Sequence, residues 1–387
     1  MRAVEIEVRG SGGAAGWPEP ECPCASCRRA ADKGERRAPF QLVVDGILEL
    51  SSGSVGPLGL VGFSGPVGSL GAGVPAGYRV RELDGGWDVT GPDGARLLAG
   101  ARPQVPDEPG WPERPDGPGR RRGPEGPRYD AVVLDLGSEP SQLGRLRARG
   151  AVTDGTLVLA GWAGHQVRSE RELARRCHIW RAVLPRDGDT FTVPGPVQLE
   201  PARPRRVLVL GGSGSGKSAE AELRLAAEPN VTYLATGPRP GPEDGEWAAR
   251  VAAHRGRRPA WWRTVETGTE PGALARELAR ADGPGSAVLV DSVTTWLAAA
   301  MDECGAWDGA PAAASRLAGL VTELLAAWRQ TRGYVVAVSD EVGLSVVPET
   351  RAGRIFRDEL GSLNQRLASD ADDFIMMVAG RRLVIAD

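Results

Sequence analysis

A chain of 387 residues is long for one domain and fits two or three. Its 41% hydrophobic content is enough for packed cores, and a net charge of −3 argues against a protein that coats nucleic acid. No apolar run approaches the roughly 18 residues of a membrane span, and the first residues show no charged-then-apolar leader, so the expectation is a cytoplasmic protein without a membrane span. With 53 glycines and 31 prolines, much of the chain must be loop or linker. Five cysteines, three of them clustered, suit a reducing compartment and a metal site better than a disulfide framework.

In chain order, residues 3–8 read as a strand. A Gly-rich loop over residues 10–16 follows, and then Cys22, Cys24 and Cys27. The C-x-C-x-x-C spacing puts three thiolates within reach of one ion, and tetrahedral zinc needs a fourth ligand. His165, Cys177, His178, His254 and Cys304 are the candidates, and three unrelated thiols in a loop is the plain alternative. Residues 50–77 are rich in Gly, Ser and Val and show little helical periodicity. Residues 79–98 read as short strands around turns at 84–86 and 92–94. Pro103, Pro106, Pro109, Pro112, Pro115 and Pro118 then recur with the polyproline II period. The stretch 101–128 has too little apolar content to pack and reads as a disordered or semi-rigid insertion. Order resumes with a strand at 129–136, a helix at 142–149, a strand at 156–160 and a helix at 170–177. Strands are expected at 178–184 and 190–193, and residues 195–204 read as a linker.

The opening strand, the Gly-rich loop leading to Pro18, the three cysteines and the later Leu42, Val43, Val44, Asp45 and Gly46 resemble the start of a metallo-β-lactamase-fold hydrolase. The closest type is the phosphonate-pathway cyclic phosphodiesterases. The resemblance covers residues 1–50 and 129–194 and implies an α+β domain over 1–194. It also implies a structural zinc on Cys22, Cys24 and Cys27, with His165 of the segment 157–165 as fourth ligand. Trp162 stands where that group has a catalytic histidine, and its His-x-His-x-Asp-His motif is missing from a chain with three histidines. The expectation is a degenerate domain without hydrolase activity.

Residues 205–218 change the character of the chain. A short apolar run, 207–210, leads into Gly211, Gly212, Ser213, Gly214, Ser215, Gly216, Lys217 and Ser218, and a helix-forming segment follows at 219–227. Strand, Gly-x-x-x-x-Gly-Lys-Ser and helix in that order make a phosphate-binding loop. Backbone N–H groups and the helix N-terminus favour phosphate, Lys217 can reach the outer phosphates, and the Ser218 hydroxyl can hold Mg²⁺. Lys33 and Lys217 are the only lysines in the sequence, so a lysine at this position is not a surface accident. A Gly-rich turn capping an ordinary helix is the alternative.

From 205 to 387, short β-branched runs alternate with helical patterns. Strands are expected at 207–210, 231–235, 262–265, 287–290, 334–338, 374–378 and 383–385. Helices fit 219–227, 246–254, 273–280, 296–301, 312–329 and 351–368. This predicts an α/β layer with a mostly parallel P-loop sheet, RecA-like, and one antiparallel edge from the final hairpin. Ligands in such folds sit at the carboxyl ends of strands. Ala235, Thr236 and Gly237 fall at one such end, Glu266 at the next, Asp291 at a third and Ser339, Asp340 and Glu341 at a fourth. Each alone also reads as a helix cap or turn. His254 lies among Arg250, Arg255, Arg257 and Arg258. Arginines bind phosphates, and a neutral imidazole can attack a phosphoryl centre. A surface histidine at a helix end is the alternative reading.

The ordered motifs resemble the bifunctional adenosylcobinamide kinase / adenosylcobinamide-phosphate guanylyltransferases of cobalamin biosynthesis. They are the P-loop, Tyr233 to Thr236, His254 with Gly256 to Glu266, Asp291 to Leu297, Glu341 to Pro348, and Phe356 to Arg366. The resemblance runs over 205–387. It implies phosphorylation of adenosylcobinamide by ATP or GTP, guanylylation of His254 by GTP, and GMP transfer to adenosylcobinamide phosphate. Lys217 and the loop amides would stabilise phosphate charge, Ser218 and Asp291 would organise Mg²⁺, and Arg255, Gly256, Arg257, Arg258 and Glu266 would seat the nucleotide. It also implies a homo-oligomer, a trimer in related proteins. Gly214 and Ser345 depart from the family pattern, which has Arg and Gly there. The alternatives are a generic P-loop small-molecule kinase and a non-catalytic nucleotide-binding regulator.

Overall fold

Alternation of burial sets the first strand. In β1 (Val4–Gly10), Val4, Ile6 and Val8 are buried while Glu5 and Arg9 face solvent. The structure is a computed structural model that describes residues 3–51, 54–57, 74–105, 127–193, 195, 205–239, 241, 244–268, 270–281 and 285–383. It divides into two compact units, Met1–Pro201 and Ala202–Asp387.

In the first unit, α1 (Ala25–Asp32) follows β1 and precedes β2 (Gln41–Val44), β3 (Leu48–Ser51) and β4 (Ser54–Pro57). Next come β5 (Arg79–Leu83), β6 (Gly86–Thr90), β7 (Arg96–Gly100) and β8 (Ala131–Leu134). After α2 (Ser141–Ala148) the chain forms β9 (Leu157–Ala160), α3 (Glu170–Ile179) and β10 (Thr190–Val193). One sheet has the order β10-β1-β2-β3-β4 and is antiparallel throughout. The other runs β5-β6-β7-β8-β9, antiparallel up to β7 and parallel beyond it. Ile6, Leu42 and Leu48 from the first sheet and Trp87, Leu97 and Val133 from the second share one apolar core.

One local expectation needs correction. The strand expected at 178–184 does not form: His178 and Ile179 complete α3, whose buried Leu173 and Cys177 keep helical spacing, and Val183 makes only an isolated bridge to Leu159. Cys27 lies inside α1, whose N-cap is the sulfur of Cys24, accepting from the Cys27 N–H. A thiol cap has no place among the usual Ser, Thr, Asp and Asn signals, so the helix is silent in the sequence. Residues 106–126 of the Pro-rich stretch, 58–73 of the Gly-Ser-Val stretch and 196–204 of the expected linker lie outside the described residues.

The second unit alternates strands and helices over most of its length. Its elements are β11 (Arg206–Gly211), α4 (Lys217–Leu225), β12 (Asn230–Ala235), α5 (Gly245–Arg257), β13 (Arg263–Glu266), α6 (Pro271–Arg280) and β14 (Ser286–Asp291). They continue with α7 (Val293–Cys304), α8 (Pro311–Gln330), β15 (Tyr334–Asp340), α9 (Arg351–Ser369), β16 (Asp373–Val378) and β17 (Arg381–Leu383). The sheet order is β13-β12-β14-β15-β11-β16-β17, parallel from β13 to β16 with β17 antiparallel at the edge. Alternate residues of β11 enter opposite cores, Leu208 and Leu210 on one face, Val207 and Val209 on the other. Burial on both faces explains the continuous apolar runs. The expected strand 262–265 begins one residue later, because Trp262 is buried in the preceding turn. The last strand is Arg381–Leu383 where 383–385 was expected, and residues 384–387 lie outside the described range. No described helix is long and apolar enough to cross a membrane.

Candidate active site

Register across the parallel sheet places the strand ends in a row. Ala235 pairs with Glu266 on one side and with Asp291 on the other, and Gly211 pairs with Asp340. Residues separated by scores of positions therefore meet along one carboxyl edge, where loops and helix N-termini converge.

Gly211 to Ser218 forms the turn from β11 into α4. Gly216 caps the helix in the left-handed region at φ 93°, with Gly380 Cα 3.1 Å from where a Cβ would stand. Gly214 is also left-handed at φ 68°, though open space surrounds it. The departure from the arginine of the family pattern thus sits at a backbone position that favours glycine. Lys217 Nζ lies 2.6 Å from Asp340 Oδ1 and donates to Gly212 O at 3.2 Å. The lysine is folded over the loop it serves, and Asp340 holds it there.

The second focus lies at Asp291. Its Oδ2 accepts from the Tyr233 hydroxyl at 2.5 Å and stands 3.4 Å from His254 Nδ1. Burial acts to raise the Asp291 carboxyl, but His254, Tyr233 and Lys217 outweigh it and hold the group below its ordinary range. Burial and the Asp291 charge push the Tyr233 phenol up, so it remains a donor. Glu222 Oε1, on α4, lies 3.9 Å from the same His254 nitrogen, but the Glu222 carboxylate is engaged by Arg257 at 3.0 and 3.3 Å. Arg258 lies 3.6 Å above the Tyr233 ring and donates through Nε to the His254 carbonyl at 2.9 Å. Arg255 and Arg239 both pair with Glu266.

Several residues singled out in the sequence are not placed alike. Lys217, Ser218, His254 and Asp291 are all partly accessible. Thr236 is fully buried, and its hydroxyl is used within the fold, donating to Ser292 O, accepting from Ser292 N and meeting Thr295 Oγ1. It positions the start of α7, where Ser292 and Thr295 form a capping box. Tyr233 and Glu222 were not singled out as site residues. Tyr233 sits inside a strand and Glu222 inside a helix, so neither carries a strand-end signal.

In the first unit, the ligand atoms of Cys22, Cys24, Cys27 and His165 lie within 4.8 Å of one another. Ligands around a tetrahedral zinc with sulfur at about 2.3 Å stand roughly 3.8 Å apart, so this set of three sulfurs and one nitrogen fits such an ion. His165 Nδ1 is 3.5 Å from Cys22 Sγ and 3.3 Å from Glu19 Oε2. Ser26 Oγ donates to Val167 O at 2.6 Å and Arg29 to Arg168 O, which fastens α1 to the His165 loop. Trp162 is buried and stacked on Phe40, with ring centroids 3.5 Å apart.

Comparison with known proteins falls on the second unit. The family described as "Cobinamide kinase / cobinamide phosphate guanyltransferase" matches residues 207–385. The bifunctional adenosylcobalamin biosynthesis protein CobU of Salmonella typhimurium is 38% identical over 181 residues, 96% of its length and 45% of this chain. CobP of Pseudomonas aeruginosa is 41% identical over 179 residues, 94% of its length and 45% of this chain. CobU of Escherichia coli is 37% identical over 181 residues, 96% of its length. The chain belongs to this family. The cobinamide kinase / guanyltransferase match contains both foci described above, Lys217 with Asp340 and His254 with Asp291, and none of the first unit. Among solved structures, an ATPase of a bacterial type III secretion system overlays 44% of this chain and 50% of its own at a TM-score of 0.30 and 15% identity, too loose a likeness to argue from.

Proposed function

We propose that residues 205–387 form a RecA-like P-loop domain that performs two successive transfers on a corrinoid. In the first, the aminopropanol hydroxyl of adenosylcobinamide takes the terminal phosphoryl group of ATP or GTP. In the second, His254 attacks the α-phosphorus of GTP and pyrophosphate leaves. The GMP then passes from His254 to adenosylcobinamide phosphate, giving adenosylcobinamide-GDP. The observation that carries this reading is a histidine set against a half-buried carboxylate on the same sheet edge as the P-loop lysine.

Lys217 would leave Asp340 for the nucleotide phosphates and stabilise the charge that develops on the transferred group. The loop amides from Gly211 to Ser218 would cradle the phosphates, while Ala235 and Gly237 leave backbone at the strand end for the nucleotide. Arg255, Gly256, Arg257 and Arg258 follow His254 in the chain, and with Glu266 they would seat the guanine nucleotide. Ser218 and Asp291 offer the hard oxygen donors that Mg²⁺ takes, and the ion would neutralise phosphate charge. Leu344, Val346 and Val347 follow Asp340 closely in the chain and are 80%, 89% and 56% exposed, an apolar surface suited to the corrin macrocycle. A homo-oligomer completes the proposal for this unit.

For residues 1–194 we propose a metallo-β-lactamase-like module with a structural zinc on Cys22, Cys24, Cys27 and His165 and no hydrolase chemistry. The four ligand atoms within 4.8 Å support the ion, and stacked Trp162 at the place of a catalytic histidine supports the lost activity.

The guanylyl step is tested by incubation with Mg²⁺ and GTP labelled at the α-phosphate. An acid-labile, alkali-stable label on the protein is expected, and none on His254→Ala. Equal labelling of the two proteins contradicts the proposal.

A further inference from the structure

The ring of contacts around His254 closes on itself. Arg258 holds the His254 carbonyl and lies over the Tyr233 ring. Tyr233 donates its hydroxyl to Asp291 Oδ2, and the same oxygen faces His254 Nδ1 at 3.4 Å. The second carboxylate near Nδ1, Glu222 at 3.9 Å, is shared with Arg257. A neutral imidazole carries one N–H, and the nitrogen that faces carboxylates is the one that keeps it. Asp291 is only 12% exposed in its side chain, so its charge is little screened.

We infer that Asp291 is the positioning residue for the guanylyl step: it holds His254 as the Nδ1–H tautomer and leaves the Nε2 lone pair as the nucleophile, while Tyr233 fixes the carboxylate. The inference rests on the guanylyltransferase reading above and assigns Asp291 a task beyond metal binding. The balance of the step is simple. The Nε2 lone pair forms a bond to the α-phosphorus of GTP, and the bond from that phosphorus to the bridging oxygen breaks, its electron pair leaving with pyrophosphate. The ring, still carrying Nδ1–H, gains a positive charge that Asp291 offsets. In the second half an oxygen of the acceptor phosphate attacks the same phosphorus, and the N–P pair returns to Nε2. The Nδ1 proton stays in place throughout, so no separate acid or base is required at the ring. Apo contacts of this kind are commonly long and shorten when substrate is bound, which accommodates the 3.4 Å separation.

The test reads the tautomer directly. The chain has three histidines, so imidazole nitrogen resonances of protein made with isotopically labelled histidine are few, and His254→Ala identifies those of His254. In the full-length wild type, without nucleotide and at a pH where the ring is neutral, the His254 proton is expected on Nδ1 with Nε2 bare. A neutral ring with its proton on Nε2 overturns the inference, and this result needs no variant that must fold. In Asp291→Asn the carboxamide no longer favours Nδ1–H, so the tautomer balance shifts towards Nε2–H and the rate of covalent labelling by GTP falls by roughly 10²-fold or more. Tyr233→Phe is expected to give a smaller fall, about tenfold, with the Nδ1–H form retained. An unchanged tautomer and labelling rate in a folded Asp291→Asn protein also overturns it. The two readings fail separately. If labelling does not depend on His254, the guanylyltransferase proposal falls; if it does, but the wild type carries Nε2–H, only the role of Asp291 falls.

Discussion

The two units gather distant residues by different physical means. In the second, the parallel sheet does the gathering: Gly211, Asp340, Asp291, Ala235 and Glu266 come to one edge because each ends a strand in register with its neighbour. In the first, Cys22 and His165 lie 143 positions apart and meet because α1 is fastened to the loop after β9 by Ser26 and Arg29. The sheet edge supplies acidic groups set against Lys217, His254 and arginines, the raw material of phosphoryl chemistry. The thiol cluster supplies a compact, uniform ligand set suited to holding one ion. A sheet edge is therefore read as the seat of reaction and the thiol cluster as a fastening.

That contrast can be broken most forcefully at Lys217. Lys217→Ala is expected to lower phosphoryl transfer to adenosylcobinamide by roughly 10²–10³-fold, measured with labelled ATP, while leaving the melting of the first unit unchanged. Activity within tenfold of wild type would remove the sheet edge from the kinase step. Metal removal probes the other side. Stripping zinc with a chelator, then removing the chelator and restoring Mg²⁺, is expected to lower the stability of the first unit by several kcal/mol by calorimetry and leave covalent labelling of His254 intact. Loss of labelling with no thermal shift would reverse the assignment of roles.

A smaller effect belongs to Glu172. Burial would raise its carboxyl, but Arg175 and Arg176, at 2.8 and 2.9 Å, overcome this and hold it at about 2. A glutamate depressed in the folded state adds stability above its unfolded pKa, near 4.3, and loses it as pH falls towards the folded value. Glu172→Gln is therefore expected to cost roughly 1–3 kcal/mol at neutral pH and almost nothing near pH 2, by denaturant titration at both. Its acid-dependent loss should appear in the first unit and not in nucleotide binding. The smallest expected change is at Gly214. Its left-handed backbone predicts that Gly214→Ala weakens nucleotide binding by about 1 kcal/mol, less than tenfold in Kd by calorimetry.

Legibility followed the same division. The run 207–218 and the strand-end polar residues were readable because a parallel α/β layer converts sequence punctuation into position, and His254 stood out as the single histidine of its half. Helix limits moved mostly by one to three residues because caps such as Gly216 lie inside the motif itself. Tyr233 entered only as the start of a matched motif; its site role was hidden because a tyrosine in a buried strand reads as core, and nothing local shows that its hydroxyl meets Asp291. Thr236 looked like a ligand-facing residue, yet its fully buried hydroxyl is spent on the turn into α7. The C-x-C-x-x-C spacing suggested a metal, but the closeness of His165 needed a tertiary contact that no periodicity encodes.

The central claim is that His254 carries the guanylyl group between two reactions. Its most direct test is a chase. Protein labelled with α-labelled GTP is freed of nucleotide and mixed with adenosylcobinamide phosphate and Mg²⁺. The account predicts that the label leaves the protein and appears in adenosylcobinamide-GDP, one for one. Label that stays on the protein, while fresh GTP still yields product, would contradict it.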